Sequence, residues 1–122
     1  QNVTIISTLD TLSKCSGIKH NTHTLAKLGA HFLYGAEIAH PDIPWGIDAQ
    51  ELMYLQQWTN MSLIEVLESA TSKAGAYLNI PLLGTLEMNA PADIIAVQGQ
   101  LKQNLKSLEY PSFVMSGGMQ VK

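Results

Sequence analysis

The sequence is poor in charged side chains and lacks the patterns that mark several large classes of protein. Charged residues make up 14% of the chain, against roughly 25% in an ordinary soluble domain. We therefore expect part of the surface to be apolar or neutral because it contacts something else. No apolar run approaches the roughly 18 residues that span a bilayer, so no membrane anchor or membrane partner is predicted.

The few charges and the single thiol also exclude several partners and cofactors. The formal net charge is −3, and the seven basic residues are scattered along the chain. No surface for nucleic acid or anionic lipid is therefore predicted. Cys15 is the one cysteine, which excludes an internal disulfide and a site built from several thiolates. One thiol suits a reducing compartment without requiring one, and a cytoplasmic location is the expectation.

Two apolar segments near the amino terminus have the length of strands. Val3–Leu9 and Ala30–Gly35 lack clean polar–apolar alternation, which indicates strands buried on both faces. Between them a helix is predicted over Asn21–Leu28, with Asn21 as its cap and Gly29 after its end. This order and spacing predict a βαβ unit with parallel strands.

Two longer helices are predicted next, each from a capping-box pattern. Asp48 and Glu51 start a helix to about Trp58, whereas Ser62 and Glu65 start another to about Leu78. The second has apolar residues three, four and seven positions apart, which should cover a sheet. These are Leu63, Val66, Leu67, Ala70, Ala74, Tyr77 and Leu78.

The last third of the chain changes to short β segments. Strands are predicted at Leu82–Glu87, Asp93–Val97 and Ser112–Ser116. Gly117-Gly118 predicts a hairpin turn into a final strand at Met119–Val121, and the polar stretch Gly99–Leu108 predicts a short helical turn. We therefore divide the chain into residues 1–80 and a small β unit at residues 81–122.

Four pieces of sequence, in this order, resemble the carboxyl-terminal portion of the metal-dependent amidohydrolases, closest to the imidazolonepropionase-like and dipeptidase-like members. They are Tyr34-Gly35-Ala36-Glu37-Ile38-Ala39-His40-Pro41, Met61-Ser62 with Glu65-Val66-Leu67, Ala70-Thr71-Ser72-Lys73-Ala74, and Leu83-Gly84-Thr85-Leu86-Glu87 with Ala92-Asp93-Ile94-Ile95-Ala96-Val97. Asn60, Asn79 and Asn89 stand where the family often has glycine. Asn tolerates the left-handed backbone region best among the other residues, so these turns should survive.

The resemblance implies an α/β fold class. Residues 1–80 would form the last two βα units of a TIM-type barrel, and residues 81–122 would form part of the small β-sandwich subdomain beside it. A complete barrel needs about 250 residues, and this chain has 122. The expectation is therefore a fragment of a barrel followed by a small β unit.

The resemblance also implies an activity for the longer protein. It would hydrolyse a C–N bond in a small substrate, a cyclic amide or a dipeptide-like molecule, with a divalent metal ion, zinc being favoured. Glu37 stands where the family carries a metal-binding Asp, which implies that it is a metal ligand and a catalytic group that shuttles a proton. The alternatives are a solvated loop acid and a remnant in a paralogue that has lost the chemistry, because one extra methylene displaces the carboxylate enough to spoil a preorganised geometry.

The loop at 39–47 carries two further candidates. His40 and Trp45 would bind substrate at the rim of the barrel, although a plain loop histidine and an aromatic plug at the barrel mouth are the alternatives. His20 and His23 have a spacing that permits metal binding, but surface positions at a helix start explain them as well. His31 is interpreted as a packed or hydrogen-bonded strand residue and Cys15 as a buried or inert thiol.

The other metal ligands of the family would precede Gln1, so the chain alone is expected to be inactive and to hold no metal ion. A different interpretation is a non-catalytic α/β interaction module. Its unpaired strand edges would allow a homodimer. The substrate cannot be named from the sequence, because the loops that set specificity in barrel enzymes would lie outside the chain.

Overall fold

The structure is a computed structural model that describes residues 3–122. Five α-helices, one 3₁₀ helix and five strands occur in these residues. In chain order they are β1 (Thr4–Ile6), α1 (Leu9–Leu12), α2 (Ile18–Lys27), β2 (His31–Leu33), α3 (Ala49–Thr59), α4 (Leu63–Ser69), α5 (Ser72–Tyr77), β3 (Ile94–Ala96), the 3₁₀ helix (Leu105–Glu109), β4 (Phe113–Ser116) and β5 (Met119–Gln120). No helix in this part of the chain is long and apolar enough to cross a membrane.

The two amino-terminal strands pair in parallel, which confirms the predicted βαβ unit. Thr4 lies opposite His31, and Ile6 lies opposite Leu33. Both strands are shorter than predicted, with three residues each. The expected burial of both faces is wrong for β1, since Ile6 is 57% exposed. The sheet contains only these two strands among the described residues, so no further strand from this part of the chain pairs with the outer edge of β1.

The helix of the βαβ unit begins earlier than predicted. Gly17 precedes α2 with a φ of 86°, and Asn21 lies inside the helix, so its assignment as the cap is wrong. Gly29 follows the end of α2 with a φ of 86°, as the sequence predicts. Leu9 starts the four-residue helix α1 instead of ending β1.

Helix α3 is the centre of the apolar core. It packs against α1, α2, α4 and the 3₁₀ helix, so its buried side chains meet neighbours on several sides. The buried core residues are Leu9, Phe32, Leu52, Leu55, Trp58, Val66, Leu105 and Leu108. Two of these come from the carboxyl-terminal third of the chain, and the division at residue 80 stays a prediction.

The helix predicted from Ser62 to about Leu78 is two helices, α4 and α5. Its start is confirmed, because the Ser62 and Glu65 side chains form the complete capping box. The break has a tertiary cause. The Ser69 carbonyl accepts a hydrogen bond from the Tyr34 backbone N–H at 3.3 Å, and the backbone at Gly84 packs onto Thr71, where a Cβ would lie 2.3 Å from the Thr71 carbonyl carbon.

The carboxyl-terminal strands form an antiparallel sheet in the order β3-β4-β5. Ile95 lies opposite Val114, and Ser116 lies opposite Met119 across the predicted hairpin. The strand predicted at Leu82–Glu87 is wrong, since these residues form turns and Leu82 has a φ of 60°. The left-handed turns predicted at the three asparagines are confirmed, with φ values of 61°, 56° and 69° at Asn60, Asn79 and Asn89.

Gly75 tests the contact between α5 and the segment after it. A Cβ at Gly75 would lie 2.1 Å from the Leu83 carbonyl oxygen, so Gly75→Ala must push the two segments apart. We expect this change to lower the free energy of unfolding by about 1–3 kcal/mol, measured by denaturant titration. Ala76→Ser, at an exposed position of the same helix, is the control and should change little. Equal stability of the two variants would contradict this packing.

Candidate functional site

The carboxyl ends of β1 and β2 form a shared rim, which we define as Ser7 and the segment Tyr34–Glu37. Ser7 follows β1, and its backbone N–H donates to the Leu33 carbonyl at 3.0 Å. Gly35 packs directly on this point, because a Cβ there would lie 2.4 Å from the Ser7 carbonyl oxygen. Only glycine allows this approach, so Gly35 fixes the backbone two residues before Glu37.

Glu37 has an exposed side chain at the end of the rim. Its carbonyl accepts a hydrogen bond from the His40 backbone N–H at 2.8 Å, which closes a turn. His40 is half-buried, and its Nδ1 accepts from the Asp42 backbone N–H at 3.3 Å. A neutral ring then carries its proton on Nε2. The structure therefore brings Glu37 and His40 together on one turn.

Asp42 and Trp45 of this loop are exposed, whereas Ile43 is buried. The Lys14 ammonium pairs with the Asp42 carboxylate at 3.0 Å, and its hydrogen bond holds the pKa of Asp42 below its usual value. Trp45 is 89% exposed, so its ring contacts little of the described chain. The roles of Glu37 as metal ligand and of His40 and Trp45 as substrate-binding residues stay predictions.

A buried polar cluster lies next to the rim, at the start of α3. The Asp48 side chain caps the helix by accepting from the Gln50 and Glu51 backbone N–H groups at 2.9 and 3.3 Å. The Asp48 backbone N–H donates to the Tyr34 hydroxyl at 2.8 Å. Burial is the main cause that raises the pKa of Tyr34. The cluster therefore joins the start of α3 to the residue that follows β2.

Glu51, in the same cluster, makes different contacts from those that the sequence predicts. The predicted capping box would turn its side chain back to the Asp48 backbone, but the carboxyl instead contacts the Ser7 hydroxyl and accepts from the Asp10 backbone N–H at 2.7 Å. Its side chain is buried, with 1% exposure of the residue. No pattern in the sequence separates this tertiary use of Glu51 from an ordinary cap.

Burial changes the acidity of two carboxyl groups in the cluster. Desolvation raises the pKa of Glu51 to about 7, although hydrogen bonds from Ser7, Asp10 and Leu9 act in the opposite direction. Desolvation also raises the pKa of Asp10, and the adjacent Asp48 adds to this shift. The Asp48 charge further raises the pKa of Glu51. These acids therefore lie in an environment that favours protonated carboxyl groups.

Three of the remaining candidates line one cleft, and His31 lies at the start of β2. Cys15, His20 and His23 line this cleft of about 620 Å³. The Nδ1 atom of His23 lies 3.3 Å from the Trp58 carbonyl. Cys15 is exposed, which excludes a buried thiol, whereas an inert thiol stays a prediction. His31 is in the predicted strand but is exposed, so it is not a packed residue.

The described residues do not fit a metal ion by themselves. Among residues 3–122, no three His, Cys, Asp or Glu side chains lie close enough together to hold one. Structural and catalytic zinc sites need at least three protein ligands. Glu37 is a single exposed carboxylate, and the nearby Asp42 is paired with Lys14. Any metal chemistry at this rim would need ligands from outside the described residues.

The fold is similar to part of several solved hydrolase structures. An Xaa-Pro dipeptidase, solved with methionine bound in its active site, matches 86% of this chain with a TM-score of 0.73 and 24% identity. The ochratoxinase of A. niger matches 85% with a TM-score of 0.68 and 24% identity. A prolidase solved with N-methylphosphonate-L-proline matches 99% with a TM-score of 0.72 and 18% identity.

These likenesses define the fold as a small α/β piece of larger hydrolase-type chains. The matched parts are 25%, 24% and 35% of the three solved chains, so this chain spans a quarter to about a third of their length. No protein-family model matches the chain, and no curated protein matches it in sequence. The similarity therefore resides in the three-dimensional arrangement.

Asp48 offers a test of the buried cluster. Replacing it with alanine removes the acceptor for the Gln50 and Glu51 backbone N–H groups. We expect Asp48→Ala to lower the free energy of unfolding by about 1–2 kcal/mol, measured by denaturant titration. Asp48→Asn keeps an acceptor oxygen and removes a negative charge beside Asp10, so it should stay within about 0.5 kcal/mol of the original. An asparagine variant as unstable as the alanine variant would contradict the capping role.

Proposed function

We propose that this chain is the carboxyl-terminal part of a longer metal-dependent hydrolase of the amidohydrolase superfamily, which cleaves C–N bonds in dipeptide-like or cyclic amide substrates. The observation that carries the proposal is the match of 85–99% of the chain to parts of a dipeptidase, an ochratoxinase and a prolidase. The order of the sequence pieces that resemble amidohydrolases supports it independently.

In this proposal, residues 1–80 supply the last two βα units of a TIM-type barrel and residues 81–122 supply part of a β-sandwich subdomain. Exposed apolar residues on both sheets support this arrangement. Val3 and Ile6 are 46% and 57% exposed around β1, and Ile95 of β3 is 39% exposed. Parallel strands are normally covered on both faces, so further strands of the longer protein would cover β1.

Glu37 is the catalytic acid–base group of the proposal. Its carboxylate follows the end of a parallel strand, where barrel enzymes place their reacting groups, and an exposed carboxylate can accept and return a proton. The divalent ion of the longer protein, zinc in this proposal, would take most of its ligands from outside this chain, with Glu37 as one ligand. His40 can donate from Nε2 to a bound substrate, and Trp45 can cover an apolar part of it.

Self-association of a non-catalytic module is the competing proposal. The unpaired edges of β1 and β2 would accept a strand from a second copy as readily as from a preceding segment. The hydrolase comparisons favour a segment of a longer chain, because the matched chains are about three times as long as this one. Sedimentation analysis separates the two, since a module would form a homodimer and a longer hydrolase would cover the edges within one chain.

The function is tested in the longer protein that contains this chain. We expect it to hydrolyse dipeptides or cyclic amides when it is loaded with zinc, and Glu37→Gln to lower kcat/KM by about 10²–10⁴-fold because the proton acceptor is lost. Glu87→Gln, at an exposed position, is the matched control and should keep full activity. Steady-state assays of product amino acid measure both.

Two results would each contradict one part of this proposal, and a third would contradict all of it. One is full activity of Glu37→Gln, which would remove Glu37 from the chemistry. The other is tight stoichiometric binding of zinc by the 122-residue chain, measured by calorimetry, because the described residues contain no cluster of three ligands. Absence of any C–N hydrolysis in the zinc-loaded longer protein would overturn the assignment as a whole.

A further inference from the structure

Glu51 is a buried acid that pairs with no cation among residues 3–122. The ion pairs of the described residues join Lys14 to Asp42, Lys73 to Glu68 and Lys106 to Glu109, and none of them includes Glu51. The Glu51 residue is 1% exposed. An ionised carboxylate at such a position carries a large desolvation cost unless hydrogen bonds or a counter-charge compensate it.

The hydrogen-bond count around Ser7 identifies the protonation state that fits best. The Ser7 hydroxyl has one hydrogen, but its oxygen lies within hydrogen-bonding distance of both the Glu51 Oε1 atom and the Leu33 carbonyl, the latter at 3.1 Å. If Glu51 is ionised, the hydroxyl can serve only one of these acceptors. If Glu51 is neutral, its O–H donates to Ser7 and the Ser7 O–H donates to Leu33, so both contacts are hydrogen bonds.

The other carboxyl oxygen is consistent with a neutral acid. Oε2 accepts from the Asp10 backbone N–H at 2.7 Å, which leaves Oε1 as the protonated oxygen. We infer that Glu51 is a positioning residue that, as a neutral acid, donates to Ser7 and thereby ties α3 to the ends of β1 and β2 at the rim. Its action on chemistry passes through Ser7 and Gly35 to Glu37 and rests on the proposed function, whereas its protonation state does not.

Ionisation of Glu51 loosens this tie. The single Ser7 hydrogen then turns to the carboxylate, and the Leu33 carbonyl keeps only the Ser7 backbone N–H, at 3.0 Å. A negative charge also appears beside Asp48, which lies at the start of the same helix. Both changes weaken contact between the strand ends on which Gly35 packs.

The charged groups around Glu51 come from several elements. Asp10 of α1 and Asp48 at the start of α3 are acids, and Tyr34 follows β2. The 3₁₀ helix contributes Glu109, whose Oε1 accepts from the Ala49 backbone N–H at 3.1 Å, and Lys106, which is paired with Glu109. Acids therefore outnumber the single cation around this cluster.

His23 and Glu65 lie on the other two helices that pack against α3, and both make their contacts away from Glu51. His23 of α2 contacts the Trp58 carbonyl near the far end of α3, seven residues after Glu51. Glu65 of α4 is exposed and bonded to the Ser62 backbone N–H at 2.8 Å. The pH response of this cluster is therefore expected to come from Glu51 and Asp10.

The direction of the pH effect follows from the pKa of Glu51, which burial raises from 4.5 to about 7. Between these values the folded state binds a proton that the unfolded state has released, so stability falls as pH rises. The stability that protonated Glu51 contributes is complete below about pH 4.5 and is lost as the pH rises through about 7. The raised pKa of Asp10 acts in the same direction.

The experiment compares the 122-residue chain with its Glu51→Gln variant. The amide keeps a donor for Ser7 and an acceptor for the Asp10 N–H, so it imitates the neutral acid. We expect the folding equilibrium constant of the original chain to fall by up to about tenfold per pH unit relative to Glu51→Gln between the two pKa values, measured by denaturant titration. Amide hydrogen exchange at Ser7 should accelerate above neutral pH in the original chain relative to the variant.

A second measurement does not depend on the stability of the variant. Carbon-13 NMR of the side-chain carboxyl should show Glu51 titrating near neutral pH, with loss of that signal in Glu51→Gln. Titration of Glu51 near its ordinary value would overturn the inference, as would parallel pH–stability curves for the two proteins. Failure of C–N hydrolysis in the longer protein, together with titration of Glu51 near neutral pH, would overturn the proposed function and leave this inference intact.

Discussion

The structure depends on the contact between a buried carboxyl group and the ends of two parallel strands. Glu51 projects from the first turn of α3 to Ser7, and Ser7 in turn bonds to Leu33 of the neighbouring strand. Three elements that are distant in sequence therefore meet at one hydroxyl group. Because β1 and β2 have three residues each, their own ladder is short, and a two-stranded sheet of this kind is marginal without such support.

The same strand ends define what the chain can contribute to a reaction. Gly35 packs against the Ser7 carbonyl, so the backbone that leads to Glu37 cannot withdraw from the sheet. The two sheets also share exposed apolar surface. Ile6 of β1 and Ile95 of β3 remain in contact with solvent. The fixed rim and the exposed apolar side chains of β1 and β3 are the two structural features on which the proposed barrel arrangement rests.

Local patterns in the sequence predict those features whose causes are local. The capping box at Ser62, the left-handed asparagines and the Gly117-Gly118 hairpin each depend on a few adjacent residues, and all three are confirmed. The break between α4 and α5 depends on Tyr34 and Gly84, which are distant in sequence. The helical periodicity of the sequence continues across the break, so the pattern predicts a single helix. The same distinction applies to the candidate site. Glu37 is predicted from a local motif. The sequence pattern of Glu51 predicts a helix cap, and only the fold shows its contacts with Ser7 and Asp10.

This geometry limits where the extra methylene of Glu37, relative to an aspartate, can place the carboxylate. A longer side chain could keep its carboxylate in place if the backbone moved back, but Gly35 is already in contact with Ser7. The added length must therefore carry the Glu37 carboxylate further from the strand end, or fold it sideways along the loop toward His40. Either way, a partner of Glu37 must lie further out than a partner of aspartate would. Residues outside this chain that complete the site would then have to match that displacement.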